Sequence, residues 1–349
     1  AFVHCLASGF LKRGYRPLFT DLASSEDISR LASDVQRPDV ALFYCEQGHG
    51  LGLTAELNGR TVSLFDAVGK PAVSMMRDLP FYPWVVPNLR QDSENARVYH
   101  VDEDSMIDLV PRVVPRPRNH AFHHNCYLDL EEAGQPDLPF DERPIELLYA
   151  GSWSDPDGWR DAYRQRYPQR SKLFDDALES CLHETSRPLW QRVGSVCRQH
   201  GWVIDFNDPE VVDLFFHVNQ VVRMRRRVDL LRQLARHPLQ LIWRGPLPPG
   251  VELHPKTEVW GPQPLARTIA MVKRSRRMVM ALGANSRVLS ERLLTAMYHG
   301  VAVVTTANAS IRELFRDREQ LAMIRPDAAD LDAALSHLTD PERARDVGA

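Results

Sequence analysis

Paired cysteines, surplus basic charge and long apolar runs are all missing from this 349-residue sequence. The five cysteines, Cys5, Cys45, Cys126, Cys181 and Cys197, are scattered, odd in number and never spaced C-x-x-C. Spacing therefore excludes a disulfide framework and a cysteine-based zinc site, and reduced thiols in a cytoplasmic protein are expected. A formal net charge of −3 removes the electrostatic argument for a nucleic-acid partner. The basic run Arg223-Met224-Arg225-Arg226-Arg227 reads as a solvated helix face. No apolar stretch approaches the ~18 residues that span a bilayer, and no secretory leader is visible. Ala1 opens the sequence inside what reads as a helix, so the natural start is expected upstream.

What is present is an alternation of helix and strand. Residues 2–13 form an amphipathic helix pattern closed by Gly14, residues 16–21 read as a strand, and residues 24–35 as a helix. The short apolar run 39–44 and the run 71–76 have the composition of parallel strands buried on both faces. A strand over 97–101 and a helix over 105–110 follow. Pro115, Pro117, Pro136, Pro139 and Pro144 then interrupt residues 113–144, which read as a linker. Beyond it, residues 145–152 form a clear strand, 159–238 a mostly helical insertion, and the alternation resumes. Strands are predicted at 239–243, 258–261, 278–282 and 301–305, helices at 265–274, 290–299 and 327–338, then a polar tail. This predicts an α/β protein of two Rossmann-like domains, 1–140 and 141–349, facing across a cleft.

Open parallel sheets bind ligands beyond the carboxyl ends of their strands. In the C-terminal half those positions are Gly151-Ser152-Trp153, Arg244-Gly245, Gly261-Pro262 and Gly283-Ala284-Asn285-Ser286. Each carries a glycine, which lets backbone N–H groups approach a ligand, and Arg244 offers charge to a diphosphate. In the N-terminal half, His49 lies in the glycine-flanked loop after one strand and Asp78 follows the next. Either has the chemistry of a general base for an acceptor hydroxyl. His120, His123 and His124 have the i, i+3, i+4 spacing of a helical metal face, but Pro115 and Pro117 favour a loop, so no metal site is expected.

The segment from Ser290-Glu291-Arg292 through Thr295-Ala296-Met297 to Gly300 and Val301-Ala302-Val303-Val304-Thr305 resembles the signature of group-1 GT-B glycosyltransferases. It is most similar to the spore-maturation CgeB-like branch, as are Tyr149-Ala150-Gly151-Ser152-Trp153 and Arg226-Arg227-Val228-Asp229-Leu230-Leu231. The likeness covers about residues 145–315. It implies a nucleotide diphosphate sugar as donor substrate, without cofactor or metal, and a glycan, protein or small-molecule acceptor held by the N-terminal domain. In such a site Gly151, Ser152, Arg244, Gly261, Asn285, Ser286 and Ser290 line the donor, Glu291 accepts from its hydroxyls and Arg292 meets phosphate oxygens. The group's usual glutamate pair is absent, Arg287 and Thr295 standing in its places. A nucleotide-sugar 2-epimerase of the same fold and a catalytically silent scaffold therefore stay open beside the transferase.

Overall fold

The computed structural model describes residues 2–76, 78–89, 93–100, 106–113, 120–122, 138–183, 186–283 and 287–348. The chain divides into two compact units, Ala1–His124 with Asp205–Asp213, and Asn125–Ile204 with Leu214–Ala349. No described helix is long and apolar enough to cross a membrane.

In the first unit, β1 (Phe43–Glu46), β4 (Ala72–Met76), β5 (Ala96–His100) and β6 (His120–Phe122) form a parallel sheet in that order. Between β1 and β4, β2 (Thr54–Leu57) and β3 (Arg60–Ser63) make an antiparallel hairpin. Its turn is Asn58-Gly59, with φ of 53° and 72°, the backbone that a two-residue turn needs to match strand twist. That Asn-Gly signal was legible in the sequence and is not among the elements predicted above.

The strand predicted over 16–21 does not form. Pro17 supplies no N–H, Leu18 and Phe19 are exposed, and the Phe19 carbonyl accepts from the Arg30 guanidinium (2.8 Å) instead of from a neighbouring strand. The strand expected at 39 starts only at Phe43, because Arg37 and Asp39 pair in a turn in which Val40 N–H donates to the Arg37 carbonyl. Burial pulls His120 down to about 4, below the ~6.5 of an unfolded chain. Between those values the unfolded state binds more protons, so His120's contribution is full above ~pH 6.5 and is lost as pH falls toward 4. A His120→Gln variant is expected to show a shallower acid limb in urea unfolding; an unchanged limb would remove His120 as its source.

The second unit contains β7 (Ile145–Ser152), β8 (Gln240–Arg244), β9 (Glu258–Trp260), β10 (Ser275–Met280), β11 (Ala302–Thr306) and β12 (Ala322–Ile324). They lie parallel in the order β12-β11-β10-β7-β8-β9. Counted from β7, this is the 3-2-1-4-5-6 order of a doubly wound Rossmann sheet, with its switch point between β7 and β10. Alternation along β7 explains the two-sided core. Leu147 and Tyr149 enter one apolar cluster with Leu230, Leu231 and Leu335, while Leu148 enters the other with Met278, Leu293 and Val303.

Between β7 and β8 lie the helices Pro156–Arg166, Ser171–His183, Leu189–Gln199 and Pro209–Leu234. At the other end, the helix expected from 327 begins at Leu331. Ala328 takes φ 56°, and the Asp327 and Asp330 carboxylates accept from Ala329 and Arg325 N–H in a turn. The polar tail contains the helix Pro341–Gly348, anchored by buried Ala344 and Val347.

Candidate functional site

The switch point puts the ends of β7 and β10 side by side, with Val279 in register with Tyr149. Three arginines converge there. Arg292 Nη1 donates to the Ala150 carbonyl (2.7 Å), and Arg227 Nη1 donates to the Ser152 carbonyl (3.1 Å) and Oγ (2.8 Å). Arg226 Nη1 donates to the Gly283 carbonyl (3.1 Å) just past β10, and its Nη2 to the Cys181 carbonyl (3.1 Å). Arg292 is half-buried, whereas Arg226 and Arg227 are only 7% and 8% exposed.

The buried pair corrects the reading of residues 223–227 as a solvated face. Helix Pro209–Leu234 buries apolar residues on every side, among them Val211, Phe215, Val218, Val222, Val228 and Leu231. A helix apolar all round belongs inside, and its basic run goes with it. That missing amphipathic period was the signal available in the sequence. Burial, with Arg192 nearby, brings Arg226 down to about 10. Two cations in one low-dielectric region favour an anion between or beside them.

Buried polar groups without a protein partner lie at the same strand end. The Tyr149 hydroxyl, the Trp153 indole nitrogen and Arg226 Nε have no hydrogen-bond partner among the described residues. Tyr149 is fully buried; burial raises its phenol above the ordinary range, and the charges of Arg227 and Arg292 oppose that rise.

The helix Glu291–Tyr298 starts beside these groups. Ser290 Oγ accepts from Arg292 N–H (3.3 Å) as its cap, and Glu291 stands exposed in the first turn. Thr295 Oγ1 donates back to the Glu291 carbonyl (2.8 Å), and Arg287 is held by both oxygens of Glu313 (2.8 and 2.6 Å). Neither Arg287 nor Thr295 supplies a carboxylate here.

Among the expected donor residues, Gly151, Ser152, Ser290, Glu291 and Arg292 therefore belong to β7 or to the helix whose first turn is tied to it. Arg244 ends β8, one strand away from β7, and is exposed. Gly261 follows the edge strand β9, two strands or about 10 Å from β7. Asn285 and Ser286 lie outside the described residues, as do His123 and His124. Gly151 has a packing reason to be glycine: a Cβ there would stand 2.7 Å from the Trp243 ring. Gly245 has another, since its φ of +100° and the Trp153 carbonyl 2.6 Å from a built Cβ leave no room for a side chain.

In the first unit, His49 and Asp78 follow adjacent strands. Gln47 takes φ 53°, uncommon outside glycine, and Gly48 and Gly50 take 75° and 91°. Gly48 N–H donates to buried Ser74 Oγ (2.8 Å) and His49 N–H to the Glu46 carbonyl (2.9 Å), so the loop is fixed while His49 is exposed. Asp78 N–H donates to Gln47 Oε1 (3.3 Å), tying the two loops together. No group of three or more potential metal ligands occurs among the described residues.

The fold defines the class: an α/β protein with two parallel sheets, the second doubly wound with an arginine-lined switch point. No protein-family model and no curated protein sequence matches the chain. Similar solved structures include HepE of Anabaena in complex with UDP and glucose, at 10% identity over 93% of this chain and 74% of that one, TM-score 0.42. A glycosyltransferase of Rickettsia africae aligns at 8% identity over 98% and 80%, TM-score 0.42. A sucrose-phosphate synthase of Thermosynechococcus elongatus aligns at 12% identity over 92% and 70%, TM-score 0.40. Likeness of this degree assigns no activity, which has to be argued from the site itself.

Proposed function

We propose that this chain is a GT-B-type glycosyltransferase of the CgeB-like kind, moving a sugar from a nucleotide diphosphate sugar to a hydroxyl acceptor. The observation that carries this reading is the convergence of Arg226, Arg227 and Arg292 on the carboxyl ends of β7 and β10. A parallel sheet offers its ligand position there, and three guanidinium groups suit an anion carrying two phosphates. The capped first turn at Ser290 adds backbone N–H groups and the positive end of a helix dipole. With that charge supplied by arginine, the departing diphosphate needs neither metal nor cofactor for neutralisation.

In the reaction, the bond between the anomeric carbon and the diphosphate oxygen breaks and the acceptor oxygen bonds to that carbon. The arginines stabilise the charge that develops on the diphosphate. Glu291 accepts hydrogen bonds from donor hydroxyls, and the acceptor's proton passes to a general base, a role for which His49 and Asp78 have the chemistry. Arg287 is paired with Glu313, and Thr295 bonds back within its own helix.

Thermal unfolding with UDP-, GDP-, dTDP- and CMP-sugars tests the reading. A cognate donor at a hundred times its Kd should stabilise the native state by about 2.7 kcal/mol. Release of nucleoside diphosphate only when acceptor is added identifies transfer. Sugar conversion without acceptor would identify an epimerase instead, and no response to any nucleotide would favour a silent scaffold.

A further inference from the structure

We propose that residues 11–22 dock this protein on an anionic lipid surface, lying in the headgroup layer without crossing the bilayer. The inference is independent of the donor site. Of the chain's 43 basic residues, Lys12, Arg13 and Arg16 fall within residues 1–20, and none of its 46 acidic residues does. All three are exposed. Among them the same stretch exposes large apolar side chains: Leu11 is 59% exposed, Tyr15 51%, Leu18 46% and Leu22 37%. Apolar groups gathered in this way at a surface mark a place of interaction. Their cations stand out in a chain whose net charge is −3.

The backbone beneath these side chains is fixed. Helix Phe2–Lys12 closes at Gly14, which takes φ 83° and donates its N–H to the Leu11 carbonyl (2.9 Å). Tyr15 N–H donates back to the Phe10 carbonyl (3.0 Å), and its ring stands edge-on to that of Phe10 with centroids 6.0 Å apart. Pro17 locks its own backbone angle. The Phe19 carbonyl then accepts from Arg30 Nη2 (2.8 Å), tying the segment to the next helix, Ser25–Asp34. Side chains presented on a fixed backbone lose less freedom on docking. Asp27 and Asp34 of that helix are ion-paired with Arg30 (3.0 and 3.6 Å), so their charge is met there and not by Arg13 or Arg16.

The mixture of side chains selects lipid over protein. The centre of a protein–protein interface is depleted of charge, and leucine is under-represented among its strongest contacts. Here cations and apolar groups are interleaved within one short stretch, Leu11, Lys12, Arg13, Tyr15, Arg16 and Leu18. A bilayer surface takes both kinds at once. Guanidinium groups pair with lipid phosphates, while leucine and tyrosine enter the boundary between headgroups and acyl chains. Anionic headgroups add a surface potential that draws basic side chains in.

The whole chain is sedimented with vesicles of phosphatidylcholine alone and of phosphatidylcholine mixed with phosphatidylserine, at low and high salt. Wild type, the double variant Arg13→Gln/Arg16→Gln and Leu18→Ser are compared. Analytical ultracentrifugation without lipid reports self-association. Binding to the phosphatidylserine vesicles is expected, with little on phosphatidylcholine alone and less as salt screens the headgroups. Each variant should weaken that binding roughly tenfold, one through charge and the other through apolar contact. Melting temperatures should match the wild type in both, because the replaced side chains are exposed, and this separates lost docking from lost folding. No binding to phosphatidylserine vesicles, equal binding to the two vesicle types, or binding unchanged in either variant would overturn the proposal. Self-association that Leu18→Ser abolishes, without vesicle binding, would assign the segment to a second copy of the chain and overturn it as well.

Discussion

Replacing Arg143 with alanine is expected to destabilise the second unit by about 3–5 kcal/mol, the cost of breaking a buried charged network. Arg143 is only 6% exposed, just before β7. Its guanidinium donates to four backbone carbonyls: Nε to Leu138 (3.1 Å), Nη1 to Ser275 (3.1 Å) and Gly300 (2.8 Å), and Nη2 to His299 (2.7 Å). His299 and Gly300 end the helix that begins with Glu291, so a cation there meets the negative end of the dipole as well as unsatisfied carbonyls. The guanidinium also lies 5.6 Å from the centre of the Phe140 ring. Alanine would leave these carbonyls buried and unmet, and lysine would keep the charge but lose the fork. Urea midpoints should therefore fall in the order wild type, Arg143→Lys, Arg143→Ala. Coincident midpoints would mean that solvent already serves those carbonyls.

Replacing Glu291 with alanine is expected to abolish transfer while leaving the fold intact. Glu291 is exposed in the first helical turn, where its favourable interaction with the dipole is worth about 0.3–1 kcal/mol. As an acceptor for donor hydroxyls, a charged group contributes about 1.5–3 kcal/mol, or roughly ten- to a hundredfold in Kd. The two effects separate by measurement: the melting temperature without ligand should barely move, while the shift given by a responding nucleotide sugar should shrink at fixed concentration. Wild-type turnover in this variant would remove Glu291 from the donor site. A large loss of unliganded stability would instead make it a structural residue.

Much of the second sheet was legible residue by residue. The apolar run of β7, the glycine after helix Glu291–Tyr298 and the cap at Ser290 are local signals, and the structure places those elements within a residue or two of expectation. Less was legible in the first unit. Residues 16–21 have strand-like composition but find no partner, since backbone hydrogen bonds in a sheet come from distant segments that composition does not name. The Asn58-Gly59 hairpin illustrates the opposite case, a strong local turn signal between strands whose mostly exposed faces carry little hydrophobic pattern.

The feature on which the functional reading depends divides along the same line. The sequence by itself determined that a capped helix carrying Glu291 and Arg292 follows a glycine-bearing loop and precedes a buried strand, because caps, glycines and apolar periods act over a few residues. Only the tertiary structure decided that Arg226 and Arg227 leave solvent and meet Arg292 at the ends of β7 and β10. A guanidinium has the same chemistry on a surface and in a core. What changes its role is desolvation, which is set by elements as far away in sequence as Ala150 is from Arg292.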